Sequence, residues 1–471
     1  LFDLTEFGKN TEVSNRASQV PNTLLDAPVR AAEPRAAKRE DNKLKLGDRA
    51  AHQWYRFVLS FPPHLVRDYA ARFGLDSHDQ VLDPFCGTGT TVVECQKLGI
   101  PAVGLEPNPL ACFASQTKLR WNIDPDKLLQ HATAIAEEAI FRLELEGHFG
   151  DDVLRLLEQP VGANPTLRAL PGEIADLLLT NSISPLPLHK TLVLLEVLAE
   201  NHDERFSNHE RLALAAALVN GISNLHFGPE VGVGPAKQDA PVISLWLDGI
   251  RAMAQDLRCL PRTKTAKCVI YQADARHGAP MLKANSISAV ITSPPYPNEK
   301  DYTRTTRLES VLLGFIQSKA DLRGLKQTLV RSNTRNVYKA DTDDSHVAGH
   351  MQIESIAAAI EKRRIELKKD SGFERLYARV TKLYFGGMTR HLAELRRVLR
   401  PGAQLAYVVG DQASYLRVMI RTGQLLAGIA ESLGYEVVAL DLFRTRLSTA
   451  TKEQLREEVV VLRWPEVKGK K

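Results

Sequence analysis

Gln80-Val81-Leu82-Asp83-Pro84-Phe85-Cys86-Gly87-Thr88-Gly89-Thr90-Thr91 is the stretch on which the fold turns. A short apolar strand runs into a turn holding two glycines, and the residues from about Thr90 to Leu98 keep helical spacing until Gly99. Pro101-Ala102-Val103-Gly104-Leu105-Glu106 then reads as a second strand ending on an acid. Strand, helix and strand in this order predict a βαβ unit and a parallel sheet. Tight strand-to-helix turns need glycine anyway, so the GxG spacing says little by itself. Its position says more. In doubly wound sheets, ligands bind at the carboxyl ends of strands, where glycines admit them and the next helix offers unpaired N–H donors. Glu106 is placed to accept two ribose hydroxyls. No Lys follows the glycines, as a phosphate loop requires, and Val92 stands where a nicotinamide fingerprint has its third Gly. A nucleoside that carries a carboxylate and no phosphate fits the pattern.

A second stretch, Ala289-Val290-Ile291-Thr292-Ser293-Pro294-Pro295-Tyr296, is a strand cut off by two prolines and a tyrosine. Proline cannot continue a central ladder, so carbonyls at the strand end are freed. The result is a rigid group of acceptors with the Ser293 hydroxyl and the Tyr296 ring beside it. An exocyclic amino group donates to such acceptors, and an extruded base stacks on such a ring.

Around these two stretches the pattern is α/β with a long interruption. Phe61-Pro62-Pro63-His64 opens a helix in which Leu65, Val66, Tyr69, Ala70 and Phe73 keep helical spacing up to Gly74. From about 124 to 260 the pattern is helical, with Leu128, Ala132, Ile135, Ala136 and Ile140 on one face. Gly228 to Gly234 within it reads as a loop. Strand patterns resume at 268–274, 287–292 and 404–409, and 435–442 with 458–462 forms a closing hairpin. The expected organisation is a polar arm (1–50), a cofactor-binding half (51–124), a helical insertion (125–265), a catalytic half (266–315), a basic segment (316–380) and the sheet's remainder (381–471).

Composition sets the outer limits. With 471 residues, 44% hydrophobic and 25% charged, the chain can build full cores, and no apolar run is long enough to cross a membrane. The N-terminus has no basic start followed by an apolar stretch, so no secretory signal is read. Five scattered Cys form no CxxC pair, which predicts a reducing, cytoplasmic setting and packing roles for the thiols. His346 and His350 have ligand spacing but lack a third partner, so no metal site is expected. Net charge is +5, from 61 Lys and Arg against 56 Asp and Glu. Residues 300–400 hold 21 basic side chains against 12 acidic, so the excess is concentrated there, as a polyanion partner requires.

Asp83–Thr91 resembles motif I of adenosylmethionine-dependent DNA amino-methyltransferases, in the DPF-x-G-x-GTT form, and Thr292–Tyr296 resembles their motif IV. The resemblance implies a Rossmann-like methyltransferase sheet carrying the helical insertion, and S-adenosylmethionine held by Asp83, Pro84, Phe85, Gly87, Gly89, Thr90, Thr91, Glu106 and Asp274. Residues 52–69 resemble the motif lining the methionine end of the cofactor, and 386–402 the later helix-and-turn motif. Ser293, Pro294, Pro295 and Tyr296 become the catalytic loop, and its TSPPY spelling leans toward cytosine N4. Ser also occurs at this place in adenine-N6 enzymes, which keeps that alternative open. An RNA guanine-N2 methyltransferase and a non-catalytic nucleic-acid binder are further alternatives. The C5-cytosine class needs a Cys nucleophile after a Pro, and that none of the five Cys follows a Pro argues against it. Double-stranded DNA is the implied partner, with 316–380 as the candidate contacting region, Arg304, Arg307, Arg331 and Arg335 as candidate contacts, and the 125–265 insertion as the candidate target-recognition region. The implied setting is restriction–modification, which admits a cognate restriction endonuclease as a second partner. The cofactor half precedes the catalytic half, a permuted order for TSPPY enzymes.

Overall fold

The computed structural model describes residues 43–56, 60–148, 166–227, 231–261, 266–277, 280–298, 300–447 and 453–466. The basic lead-in with Arg35, Lys38 and Arg39, most of the expected arm, lies outside the described residues, as does Gly228. In chain order the helices are α1 (Pro63–Arg72), α2 (Thr90–Leu98), α3 (Pro109–Lys118), α4 (Pro125–Leu145), α5 (Gly172–Ala175), α6 (Pro185–Glu200) and α7 (Ser207–Ala217). After them come α8 (Val242–Cys259), α9 (Tyr302–Thr305), α10 (Arg307–Leu312), α11 (Lys319–Thr328), α12 (Met351–Glu366), α13 (Tyr377–Leu395) and α14 (Thr422–Ser432). The strands are β1 (Val81–Asp83), β2 (Ala102–Leu105), β3 (Leu225–Phe227), β4 (Val231–Val233), β5 (Cys268–Tyr271), β6 (Ile287–Thr292), β7 (Leu399–Gly410), β8 (Glu436–Leu447) and β9 (Gln454–Arg463).

Seven strands form one mixed sheet in the order β5-β2-β1-β6-β7-β9-β8. It is parallel from β5 to β7, and β9 runs antiparallel to both of its neighbours. From β1 the chain first builds outward through β2 and β5, then returns to β1's other side with β6. The crevice between β1 and β6 is therefore the topological switch point, where α/β sheets bind ligands.

Alternation along the strands assigns the two faces. Leu82, Val290, Leu405 and Tyr407 pack with α13 and α14 on one face. Val81, Ala289, Ile291, Ala406 and Val408 pack with α1 and α2 on the other. The helices start where the sequence can start them: Pro63, Pro109, Pro125 and Pro185 each open one, and Asn108 and Asp124 cap α3 and α4 with their side chains.

The insertion is mainly helical, and its expected apolar face on α4 is buried. It is not a free-standing lobe. Its core, built on Leu128, Val193, Leu214 and Trp246, continues into Phe113 and Ala114 of α3 and Leu308 and Leu312 of α10. One expectation is corrected here: the glycine-rich stretch ending at Gly234 is not all loop, because β4 pairs antiparallel with β3. Gly232 permits this pairing, since a Cβ there would run into the ring of His226, its partner across the ladder.

The basic segment is bound to the sheet rather than spread over solvent. Gly386 of α13 lets the turn at Asp343 approach so closely that a Cβ would lie 1.8 Å from the Asp343 carbonyl oxygen. The Tyr415 hydroxyl donates to the Ser332 carbonyl at 2.8 Å, and the Asn333 amide to the Lys300 carbonyl at 3.0 Å. These ties carry residues 328–332 to the mouth of the switch-point crevice.

Candidate active site

The parallel register pairs Val81 with Ala289 and Leu82 with Val290, so β1 and β6 end side by side. At that end a cavity of about 570 Å³ opens, a size within the range of roughly 300–1,000 Å³ typical of small-molecule sites. Its wall contains Pro84, Phe85, Gly87, Thr90, Glu106 and Asp274 from the cofactor set and all of Ser293 to Tyr296. Two stretches about 200 positions apart in sequence thus face one space.

Asp83 lies just beneath the wall and is buried. Its Oδ1 accepts from the Thr292 hydroxyl at 2.6 Å and from the Phe85 amide at 3.1 Å. This bond joins the two motifs directly. Thr91 adds a second tie, donating its hydroxyl to the Ile291 carbonyl at 3.0 Å. The other carboxylate oxygen of Asp83 is buried without a partner, and burial pushes the group up to about 6. A buried acceptor of this kind is short of one donor, such as an ammonium.

Gly87 and Gly89 both adopt positive φ, 53° and 91°, in the left-handed region that favours glycine. Their roles differ. Gly87 lines the cavity, whereas Gly89 caps α2 and allows α3 to approach, a Cβ there falling 3.0 Å from the Ser115 Cβ. Glu106 accepts the Gly87 amide through Oε2 and the Asn108 amide through Oε1, both at 2.8 Å. Each oxygen keeps a further lone pair for a ligand hydroxyl. Burial raises Glu106 to about 7, against the lowering pull of the two amides.

On the other side, the Ser293 hydroxyl donates to the Val408 carbonyl of β7 at 3.0 Å. Its proton is committed there, which leaves the oxygen as an acceptor. The Tyr296 ring lies so close to β7 that a Cβ on Gly410 would sit 3.0 Å from its Cε2. Burial, with Glu457 nearby, holds the Tyr296 hydroxyl protonated.

Asp274 borders the cavity, but its carboxylate is engaged. Arg276 grips it through Nε at 3.0 Å and Nη2 at 2.7 Å, and bonds Asp343 at 2.6 Å with Nη1. The group therefore clamps the basic segment to β5's end as well as facing the site. Of the four arginines expected to meet DNA, two are buried. Arg331 is buried, with Nε and Nη2 on Asp341 at 2.9 and 2.8 Å and Nη1 on the Lys326 carbonyl at 2.8 Å. Arg307 is buried too, donating to the Thr303 and Leu177 carbonyls at 3.2 Å. Both guanidinium groups are consumed by the fold, which needed donors for backbone carbonyls and, for Arg331, a half-buried carboxylate. Arg304 is half-buried, and only Arg335 is fully at the surface, 5.9 Å over the Phe373 ring.

Several site residues had no readable local signal. Lys118, at the end of α3, is buried and donates its ammonium to the Thr88 carbonyl at 2.9 Å, and burial lowers it to about 7. Tyr302, Lys300 and Gln412 line the cavity, as do Arg444, Arg446 and Glu457 from β8 and β9. Asn108 was within reach of sequence reasoning, because Asn-Pro after a strand marks a helix start. Burial also lifts the Cys86 thiol well above its ordinary value, as suits a packing residue. Among the described residues, no His, Cys, Asp and Glu group of three or more could hold a metal ion, and no helix is long and apolar enough to cross a membrane.

Residues 33–116, which contain the first motif, match the N6/N4 methylase family described as DNA methylase. The chain is 24% identical over 448 residues to the type II methyltransferase M.BsoBI of Geobacillus stearothermophilus, covering 88% of this chain and 84% of that one. It is 25% identical over 439 residues to the type II methyltransferase M.AvaI of a Nostoc species, covering 88% and 86%. A shorter match, 37% over 69 residues, is to the type II methyltransferase M.MjaII of Methanocaldococcus jannaschii, covering 15% and 13%. The N6/N4 methylase match is thus joined to distant homology with type II methyltransferases along most of the chain.

Proposed function

We propose that this protein is a DNA methyltransferase of the N6/N4 type that uses S-adenosylmethionine and modifies the exocyclic amino group of cytosine at N4, in a restriction–modification setting. One observation carries the reading: the Asp83 motif and the Ser293–Tyr296 loop line the same cavity at the switch point of the sheet. The cofactor end fits its ligand by chemistry. Glu106 has acceptor capacity for two ribose hydroxyls, the unpartnered Asp83 oxygen suits an ammonium, and the first turn of α2 presents amides without intrahelical partners. When bound, the cofactor supplies an electrophilic methyl group on a sulfonium sulfur.

The protein's own part is to hold an extruded base. Tyr296 offers the stacking face, and Ser293 Oγ, with its proton on Val408, accepts from the base amino group alongside the carbonyls of Ser293 and Pro294. Two accepted N–H bonds draw the nitrogen toward tetrahedral geometry, and its lone pair becomes nucleophilic. No covalent enzyme intermediate is required, and positioning supplies the acceleration. The TSPPY spelling favours cytosine; adenine N6 is the second reading. Methylation of several duplex DNAs with labelled cofactor, followed by nucleoside mass spectrometry, tests the assignment: N4-methylcytosine is expected, and methyl on adenine N6 alone would overturn it.

Tyr296→Ala checks the loop's role. Stacking of one base on an aromatic ring is worth about 1–3 kcal/mol, so kcat/KM for DNA should fall roughly 5- to 150-fold. The dissociation constant for S-adenosylmethionine, measured by calorimetry, should stay within about twofold. An equal loss in both measurements would make the loop a structural turn.

A further inference from the structure

We propose that the projecting end of the β8–β9 hairpin is a phosphate-binding arm, in which Arg446, backed by Arg444, holds the DNA backbone beside the extruded nucleotide. The inference rests on the DNA-methyltransferase reading and assigns part of the duplex contact to a segment outside the basic block.

Register shows that the arm projects. β7 ends at Gly410, paired with Glu457 of β9, whereas β8 and β9 remain paired through Thr445–Arg456, Arg446–Leu455 and Leu447–Gln454. The Asp411 amide still donates to the Arg456 carbonyl, so the hairpin runs about 7 Å past the last backbone bond on that side, at about 3.4 Å per residue. That end of the sheet is the one at which the cavity opens, and Arg444 and Arg446 both line it. They are two residues apart on one strand and so share a face.

Charge then separates their roles. Arg444 is held in a two-pronged pair by Glu457, at 2.6 and 2.8 Å. Arg446 reaches the same carboxylate only at 3.6 Å, and its side chain is 44% exposed. Two guanidinium groups share one carboxylate, so this cluster carries one positive charge in excess. Behind them, Arg421 and Arg456 are balanced by Asp411, and Arg456 also reaches Glu458 at 3.1 Å. A planar guanidinium beside the Tyr296 pocket matches a phosphodiester, whose oxygens accept its forked N–H groups. Arg307 and Arg331, by contrast, are bound into the fold.

The test measures duplex DNA affinity by fluorescence anisotropy across a salt series, for the full chain and for Arg446→Ala, Arg446→Lys and Arg463→Ala. Arg463 lies at the opposite end of β9, outside the basic block, and serves as an exposed control. One phosphate contact contributes about 0.9 to the log–log salt slope. Arg446→Ala should flatten the slope by about that amount, Arg446→Lys should largely restore it, and Arg463→Ala should leave it as it was. Cofactor affinity without DNA should be unchanged in all three. An unaltered slope in Arg446→Ala, with wild-type protein that binds and methylates DNA, overturns the arm and leaves the function standing. Loss of cofactor affinity in Arg446→Ala also overturns it, by placing Arg446 on the cofactor. Failure of the wild-type protein to bind or methylate any DNA would overturn both.

Discussion

Glu106→Gln is expected to weaken S-adenosylmethionine binding by roughly 10²- to 10⁴-fold. The carboxylate stands at the end of β2 with both oxygens fixed, Oε2 by the Gly87 amide and Oε1 by the Asn108 amide. Two ligand hydroxyls bonded to it would each contribute about 1.5–3 kcal/mol, as hydrogen bonds to a charged group do, giving about 3–6 kcal/mol together. Glutamine removes the charge and turns one oxygen into a donor that faces a backbone N–H, leaving two buried donors opposed. Wild-type binding should also depend on pH. Burial raises Glu106 to about 7 and Asp83 to about 6, so both take up protons in the free protein as pH falls through these values. A ligand that donates to them favours the ionised forms and must displace those protons. Affinity should therefore fall as pH drops from 8 to 5, and the step near 7 should vanish in Glu106→Gln. Stability has the opposite sign. A carboxyl raised above its unfolded value stabilises the fold below that value and loses the contribution as pH rises through the folded one. Calorimetric titrations at several pH values would decide the matter, and wild-type affinity in Glu106→Gln would remove Glu106 from the cofactor site.

Arg331→Ala should cost about 1.5–3 kcal/mol of stability, the usual result of removing hydrogen bonds to a charged group and leaving a partly buried carboxylate unpaired. Asp341 would lose both guanidinium bonds, and the Lys326 and Leu329 carbonyls would lose a donor. Urea denaturation should show a lower midpoint. In conditions where the variant stays folded, the salt slope of DNA binding should match that of the wild type, because the guanidinium reaches no phosphate. A flattened slope with unchanged stability would restore Arg331 to the DNA surface.

Arg331 also illustrates where sequence reading stops. A basic residue among Arg335, Lys339 and two asparagines has the composition of a nucleic-acid surface. Composition does not report whether a carboxylate ten residues on folds back to meet it, as Asp341 does. Arg307 is the same case, since Leu177, its acceptor at 3.2 Å, is 130 positions away. One positive charge in excess arises instead where Arg444 and Arg446 share Glu457, in a stretch with no excess of basic residues to mark it.

What the sequence determined by itself was whatever depends on short range. The β1–turn–α2–β2 unit, the positive-φ glycines, the proline-opened helices and the strand cut off by Pro294 and Pro295 all follow from local backbone limits, so each was legible in a window of ten to fifteen residues. Periodicity likewise marked the buried side of α4 and the closing hairpin. Tertiary structure alone decided which distant groups meet: Thr292 on Asp83, Lys118 on Thr88, the insertion's core merged with α3 and α10, and the arginines divided between fold and surface. The reason is physical. Backbone conformation is set by neighbours along the chain, whereas the pairing of a buried charge is set by whichever partner the packed chain brings within about 3 Å of it.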